Sequence, residues 1–209
     1  MGITERKERE KEQRRNDIID AAEHVFFEKG FDFAKMDDVA EKAELSKGTL
    51  YLYFKNREDL HYAIILRGLG LLYKIVKQGY NRQQNGAENL LEMGIAYVRF
   101  TNKYPEYFKA IMSFNAAKID KVDEEKKAWL FSNNSPLSFL IEVIEKGQKD
   151  GSIRNDISSG EMSMILWSQI SGVLEFIVLR SKLLELMGLK PDQMIMNQYK
   201  ILLEGLKTK

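Results

Sequence analysis

IIDAAEHVFFEKGFDFAKMDDVAEKAELSKGTLYLYFKNREDL, residues 18–60, decides the fold. It reads as three short helices joined by two tight junctions. In the first, Ile18, Ile19, Ala22, Val25 and Phe26 recur at three- and four-residue spacings and form one apolar face. Gly30 supplies a left-handed cap and Phe31 packs back onto the helix. The second covers about Met36–Ala43, with Val39 and Ala40 inward and Asp37 and Asp38 in the first turn, where the helix dipole favours acids. The third covers about Lys47–Phe54. Ser46 is its N-cap, and Leu50 and Phe54 point inward. A helix-turn-helix whose last helix offers polar, aromatic and basic groups is built to enter a DNA groove.

The chemistry of that helix suits a duplex. A lysine donates to guanine O6 and N7, a threonine methyl meets a thymine methyl, and tyrosine hydroxyls donate to phosphate. The candidate DNA contacts are Lys35 and Met36 at the head of the second helix, then Ser46, Lys47, Gly48, Thr49, Tyr51, Tyr53, Lys55 and Arg57. Gly48 allows close approach of the backbone. Tyr51 has an alternative reading as a core aromatic, and Arg57 as either a phosphate clamp or a solvated charge. The net charge of +1 argues neither way about nucleic acid. Residues 1–57 hold 13 acids against 12 bases, but residues 45–57 carry Lys47, Lys55 and Arg57 and no acid. Phosphate contact needs positive charge on one surface, not throughout a domain. Residues 5–15, ERKEREKEQRR, form either a solvated helical extension or an arm whose Arg14 and Arg15 reach the DNA.

Residues 18–60 resemble the DNA-binding domain of the tetracycline-repressor (TetR) family of bacterial transcription regulators. The likeness rests on Ala21-Ala22, Phe26, Gly30-Phe31, Asp38-Val39-Ala40, Ala43, Ser46 to Tyr51, Tyr53-Phe54 and Asn56-Arg57-Glu58-x-Leu60. It implies a homodimer joined by its last two long helices, a ligand cavity among the middle helices, and an inverted-repeat operator released when a small molecule binds. Two positions depart from the family pattern. Lys35 stands where Ser or Thr usually caps the second helix, and Glu44 stands where a Gly usually makes the turn.

The rest of the chain reads as helical, so the fold class is all-α: residues 1–57 as the DNA-binding domain, 58–209 as a helical ligand-binding and dimerisation domain. A long helix starts near Arg57, another covers about Ala87–Asn102, and Pro105 opens the next. Ser135-Pro136 starts a helix that Asp150-Gly151 stops, and Ser158-x-x-Glu161 is a capping box. The body after it, MSMILWSQISGVLEFIVL, is apolar nearly all round and is expected to be buried on several sides. Pro191 opens a last helix with a stripe of Ile195, Tyr199, Leu202 and Leu206; this stripe and the apolar helix at 162–179 hold more apolar surface than one protomer can cover and are expected to pair across a two-fold axis.

The middle helices carry Tyr97, Phe100, Tyr104, Phe108, Met112, Phe114, Trp129, Phe139 and Trp167. These are either ordinary core or the walls of a cavity for a small hydrophobic effector. Arg99 and Glu175 are candidates to orient its polar group, with snorkelling or an ion pair as the alternative. No cysteine is present, and His24 and His61 join no nucleophile or ligand set, so no catalytic residue, metal or cofactor is expected. No signal peptide is legible and no uncharged apolar stretch is long enough to span a bilayer, so a cytoplasmic location and no membrane partner are expected. The expected partners are double-stranded operator DNA, the effector and a second copy of the chain. A helical ligand- or protein-binding module without DNA binding is the alternative; an enzyme on helices lacks a constellation to support it.

Overall fold

The computed structural model describes residues 2–113, 124–129 and 132–207, and these contain helices and connections with no strand. Phe114 and most of the charged stretch before Trp129 lie outside the described residues. The helices are α1 (Ile3–Lys29), α2 (Met36–Lys42), α3 (Lys47–Tyr53), α4 (Arg57–Gln78), α5 (Gly86–Lys103), α6 (Pro105–Met112), α7 (Glu124–Trp129), α8 (Pro136–Asp150), α9 (Ser159–Leu179), α10 (Ser181–Leu186) and α11 (Pro191–Leu206). They pack as two units that do not follow the chain in order. One holds Met1–Leu69 and Tyr104–Ala128, the other Gly70–Lys103 and Trp129–Lys209.

In the first unit the charged N-terminal stretch is helical and continuous with α1. Its exposed pairs, such as Arg6–Glu10 at 2.7 Å, contribute little. Burial begins at Ile18, and the core gathers Ile18, Ala22, Val39, Leu50, Phe54, Leu60, Tyr62 and Ile64, all nearly inaccessible. Each buried Val, Leu, Ile or Phe among them is worth about 1.5–3 kcal/mol. Gly30 ends α1 at φ 80° with its N–H on the Phe26 carbonyl. Arg67 of α4 pairs with Glu23 at 3.1 Å, and the Tyr107 hydroxyl donates to the same carboxylate at 2.7 Å, which ties α1, α4 and α6 together.

In the second unit α5 and α8 meet at two glycines. A Cβ on Gly86 would fall 2.1 Å from the Gly147 Cα, and one on Gly147 would strike Ile153. The start of α5 is capped twice: Asn85 and Glu88 exchange side-chain-to-backbone bonds, and the Gly86 N–H donates to Asp150 at 2.8 Å. Buried Asn89 donates to the carbonyls of Asn81, Gln84 and Asn85 and accepts from the Asn81 N–H, fixing the turn before the helix. The core joins Ile144, Ile153, Met162, Leu166 and Leu206, with Leu202 packed beside them.

Two expectations change here. The helix α9 is not buried on several sides: Met164, Ile165, Phe176, Val178 and Leu179 are exposed, while Met162, Leu166, Ile170 and Leu174 take the inner face. By length and composition α9 is also apolar enough to cross a membrane, a test that packed core helices pass too, and one of its faces is packed inside this unit. Part of the α11 stripe is used within the protomer. Tyr199 and Leu206 are buried within the protomer, Tyr199 against Gly94 of α5. The apolar surface that α11 leaves open lies elsewhere, at Met196 and Ile201, which are 53% and 73% exposed.

Candidate nucleic-acid interface

The candidate face is built by α2, the turn after it, and α3. In α2, Met36, Val39 and Ala40 fall at i, i+3 and i+4, so all three turn inward and all are buried. Met36 is therefore a core residue whose side chain is withheld from any outside partner, contrary to its expected place among the contacts. Lys35 is exposed and occupies the N-cap in extended conformation with no side-chain cap. An ammonium has no lone pair to offer, and the cap is made from the other side, where Asp38 accepts the Lys35 N–H at 3.0 Å. Asp38 also meets Lys29 at 2.9 Å; the hydrogen bond from Lys29, then that from the Lys35 backbone, holds its carboxyl below the usual range.

The turn from α2 to α3 is a Schellman motif. The Leu45 N–H reaches the Ala40 carbonyl at 2.9 Å, and the Glu44 N–H reaches that of Glu41 at 3.1 Å. Glu44 sits at φ 55°, the one positive φ among the described residues that are not glycine, and its side chain faces solvent. A side chain costs roughly 1–2 kcal/mol in that conformation. The same motif closes α10, where the left-handed residue is Gly188 at φ 66°.

In α3 the side chains sort by helical angle. Leu50 and Phe54 are buried, and Arg15 lies 5.3 Å over the Phe54 ring. Ser46 accepts the Thr49 N–H at 3.1 Å, and the two hydroxyls bond at 2.8 Å, so both belong to the cap. Thr49 and Tyr53 are half-buried at the flanks. Gly48, Tyr51 and Leu52 fall at i, i+3 and i+4 and form the outermost strip, and Lys55 follows just past the helix. Tyr51 is 49% exposed, outside the core, and Leu52 is 81% exposed. The sequence reading missed Leu52; a helical projection from Gly48 would have placed it at the centre of the outward face.

The cations are engaged. Lys47 Nζ meets Asp37 Oδ2 at 2.7 Å in an exposed pair, and that bond raises its pKa above the usual lysine value. Arg57 turns back on its own unit. It donates to the Asp32 carbonyl at 3.1 Å and stacks 4.6 Å over Phe31, clamping the α1–α2 connection to the start of α4. Asn56 caps that start by accepting the Asp59 N–H at 2.7 Å.

Residues 18–64 match the family described as bacterial regulatory proteins, tetR family. Over this segment the chain is similar to the tetR family. Among curated tetR-like relatives, the uncharacterised HTH-type transcriptional regulator YfiR of Bacillus subtilis is 42% identical over 59 residues, 28% of this chain and 29% of that protein. The fatty acid metabolism regulator protein of Bacillus subtilis is 32% identical over 73 residues, 35% and 38% of the two chains. The chain thus matches well under half the length of these curated relatives. The tetR-type fold extends further: the fatty acid degradation regulator FadR of Bacillus halodurans superposes with a TM-score of 0.70 at 18% identity, covering 94% of this chain and 97% of that one.

The candidate effector residues fall in both units. Tyr104, Phe108 and Met112 belong to the first; Tyr97, Arg99, Phe100, Trp129 and Trp167 belong to the second. Arg99 and Glu175 are exposed, not set in apolar surroundings. On α5 the inner face is taken by Met93, Ala96, Tyr97 and Phe100, which leaves position 99 facing water. Within the second unit Tyr97 bonds Ser171 at 2.9 Å and accepts from the Trp167 indole at 3.4 Å. The nearby Tyr199 hydroxyl is buried with no hydrogen-bond partner among the described residues, and burial, then the charge of Tyr97, pushes its pKa up. An open groove of about 440 Å³ runs between α9 and α11, lined by Gln169, Val173, Met194, Gln198, Ile201 and Leu202 among others.

Proposed function

We propose that the chain is a homodimeric transcription regulator that binds an inverted-repeat operator as a repressor and is released by a small, largely apolar effector. Residues 1–57 are the reading head; residues 58–209 carry the effector and the dimer contact. The observation that carries this reading is the outward strip of α3. It is a closed apolar head whose longest acid-free stretch, residues 45–57, turns a glycine, a tyrosine and a leucine outward between Lys47 and Lys55. A core-only helix would have no reason to leave that strip open.

Phosphate contact falls to Lys35, Lys47 and Lys55 ahead of Arg57, whose guanidinium is already spent on Asp32 and Phe31. Lys47 must exchange Asp37 for DNA, a cheap exchange because the pair is exposed. The second copy docks on the α9–α11 face, where the groove and the exposed Ile201 give one protomer apolar surface with nothing to bury it. For the effector, Tyr97, Phe100, Trp129 and Trp167 supply apolar walls, and an acceptor on the ligand would satisfy Tyr199 in place of the role expected of Arg99. The names of two relatives, regulators of fatty acid metabolism and degradation, fit a ligand with an acyl chain and a carboxyl end.

The test is a mobility shift with the full chain and the DNA upstream of its own gene, repeated with fatty acids added. Retention of that duplex over an unrelated one, reversed by a ligand that also quenches tryptophan, is expected. A ligand that quenches without releasing DNA would overturn the effector assignment alone.

A further inference from the structure

Leu52 has no role in the head as described. It sits at the centre of the outward strip, one turn after Gly48, and at 81% exposure it is the most open large apolar side chain among the described residues. Its neighbours Leu50 and Phe54 already fill the inner face. Leaving a leucine in water wastes its apolar surface, and its surroundings limit what can cover it. The strip is flanked by Lys47 and Lys55 and carries no acid, so its complement is anionic. Gly48, on the same strip, meets nothing closer than 3.8 Å if given a Cβ, so the protein itself does not require a glycine there. A partner that approaches the backbone does require it.

The one apolar feature that a B-form major groove presents between its phosphates is the C5-methyl group of thymine. We propose that Leu52 is a specificity-determining residue: it packs on a thymine methyl in each operator half-site, with Gly48 letting the helix descend far enough for contact. This rests on the DNA-reading function proposed above, and goes beyond it by naming which base one side chain selects. Burying one methyl accounts for about a fourfold change in affinity, so a symmetric pair of half-sites changes it about fifteenfold.

The test begins with selection of bound duplexes from a random library by the full-length protein. Each preferred thymine is then replaced by deoxyuridine, which removes the methyl and nothing else. The parent should lose about fifteenfold at one symmetric thymine pair, while Leu52→Ala, folded as judged by circular dichroism, should bind the thymine and deoxyuridine duplexes equally. If the parent selects a sequence but no deoxyuridine pair matters, or if the penalty persists in Leu52→Ala, Leu52 does not read thymine and the DNA-binding reading stands. If the protein selects no sequence, the DNA-binding reading fails and the inference with it.

Discussion

Two exposed surfaces of this chain have opposite compositions. The outward strip of α3 is short, basic at its edges and carries one leucine; the open face of α9, α10 and α11 is long and apolar, with Phe176, Leu179, Leu186, Met187 and Ile201 all in the open. Both are surfaces that a lone protomer leaves unfinished. Under the proposed function a polyanion with few apolar points covers the first, and a second copy of the chain covers the other.

The largest effect that would sharpen this contrast is expected at the apolar face. Ile201→Asp places a charge where the second copy should dock, and an unpaired buried charge costs about 3–5 kcal/mol. Sedimentation equilibrium should show a dimer weakened at least about a hundredfold, with protomer folding intact because Ile201 is exposed. An unchanged dimer would move the interface elsewhere.

The basic strip should respond next. Lys47→Ala should weaken binding to every duplex about equally, as loss of a phosphate contact does. Asp37→Asn, which releases Lys47 and removes an anion, should act oppositely and tighten DNA binding up to about fivefold at low salt. Anisotropy titrations on the selected duplex check both; weaker binding by Asp37→Asn would mean that the ion pair orients Lys47 for DNA.

The two Schellman turns allow a smaller, internal test. Glu44→Gly should stabilise the first unit by roughly 1 kcal/mol by relieving a left-handed side chain, and Gly188→Ala should destabilise α10 by a similar amount. Urea melts measure both, and a loss in Glu44→Gly would show that the carboxylate earns its strained place.

The smallest effect concerns pH. The folded Asp38 carboxyl is held below its unfolded value by Lys29, so its contribution is present at neutral pH and is lost as pH falls through the folded value. Asp38→Asn should therefore be less stable than the parent at pH 7, and the two should converge once the pH has fallen below the folded value of Asp38. A gap that persists in acid would trace it to the helix cap and not to charge.

Much of the reading head was legible because its signals are local. Gly30, Ser46 and the i, i+3, i+4 spacing each act within a turn or two of chain, and the caps and inner faces lie where that spacing puts them. What escaped depended on partners far along the chain. Arg57 reads as an exposed cation until the Asp32 carbonyl and Phe31 are folded beside it. Met36 reads as the edge of a contact surface until Val39 and Ala40 fix the face it shares. The stripe of Ile195, Tyr199, Leu202 and Leu206 is apolar as the spacing says, but periodicity names a face and not what covers it. Here α5 and the Ile144 cluster within the same protomer cover much of it.

The most direct test of the central claim is a salt titration of the full chain on the duplex from its own upstream region and on an unrelated duplex. The account predicts tighter binding to the upstream duplex, with log K falling linearly in log salt and a shallower fall in Lys47→Ala by about one unit of slope for its lost phosphate neutralisation. Equal affinity for both duplexes, with a slope that Lys47→Ala leaves unchanged, would contradict it.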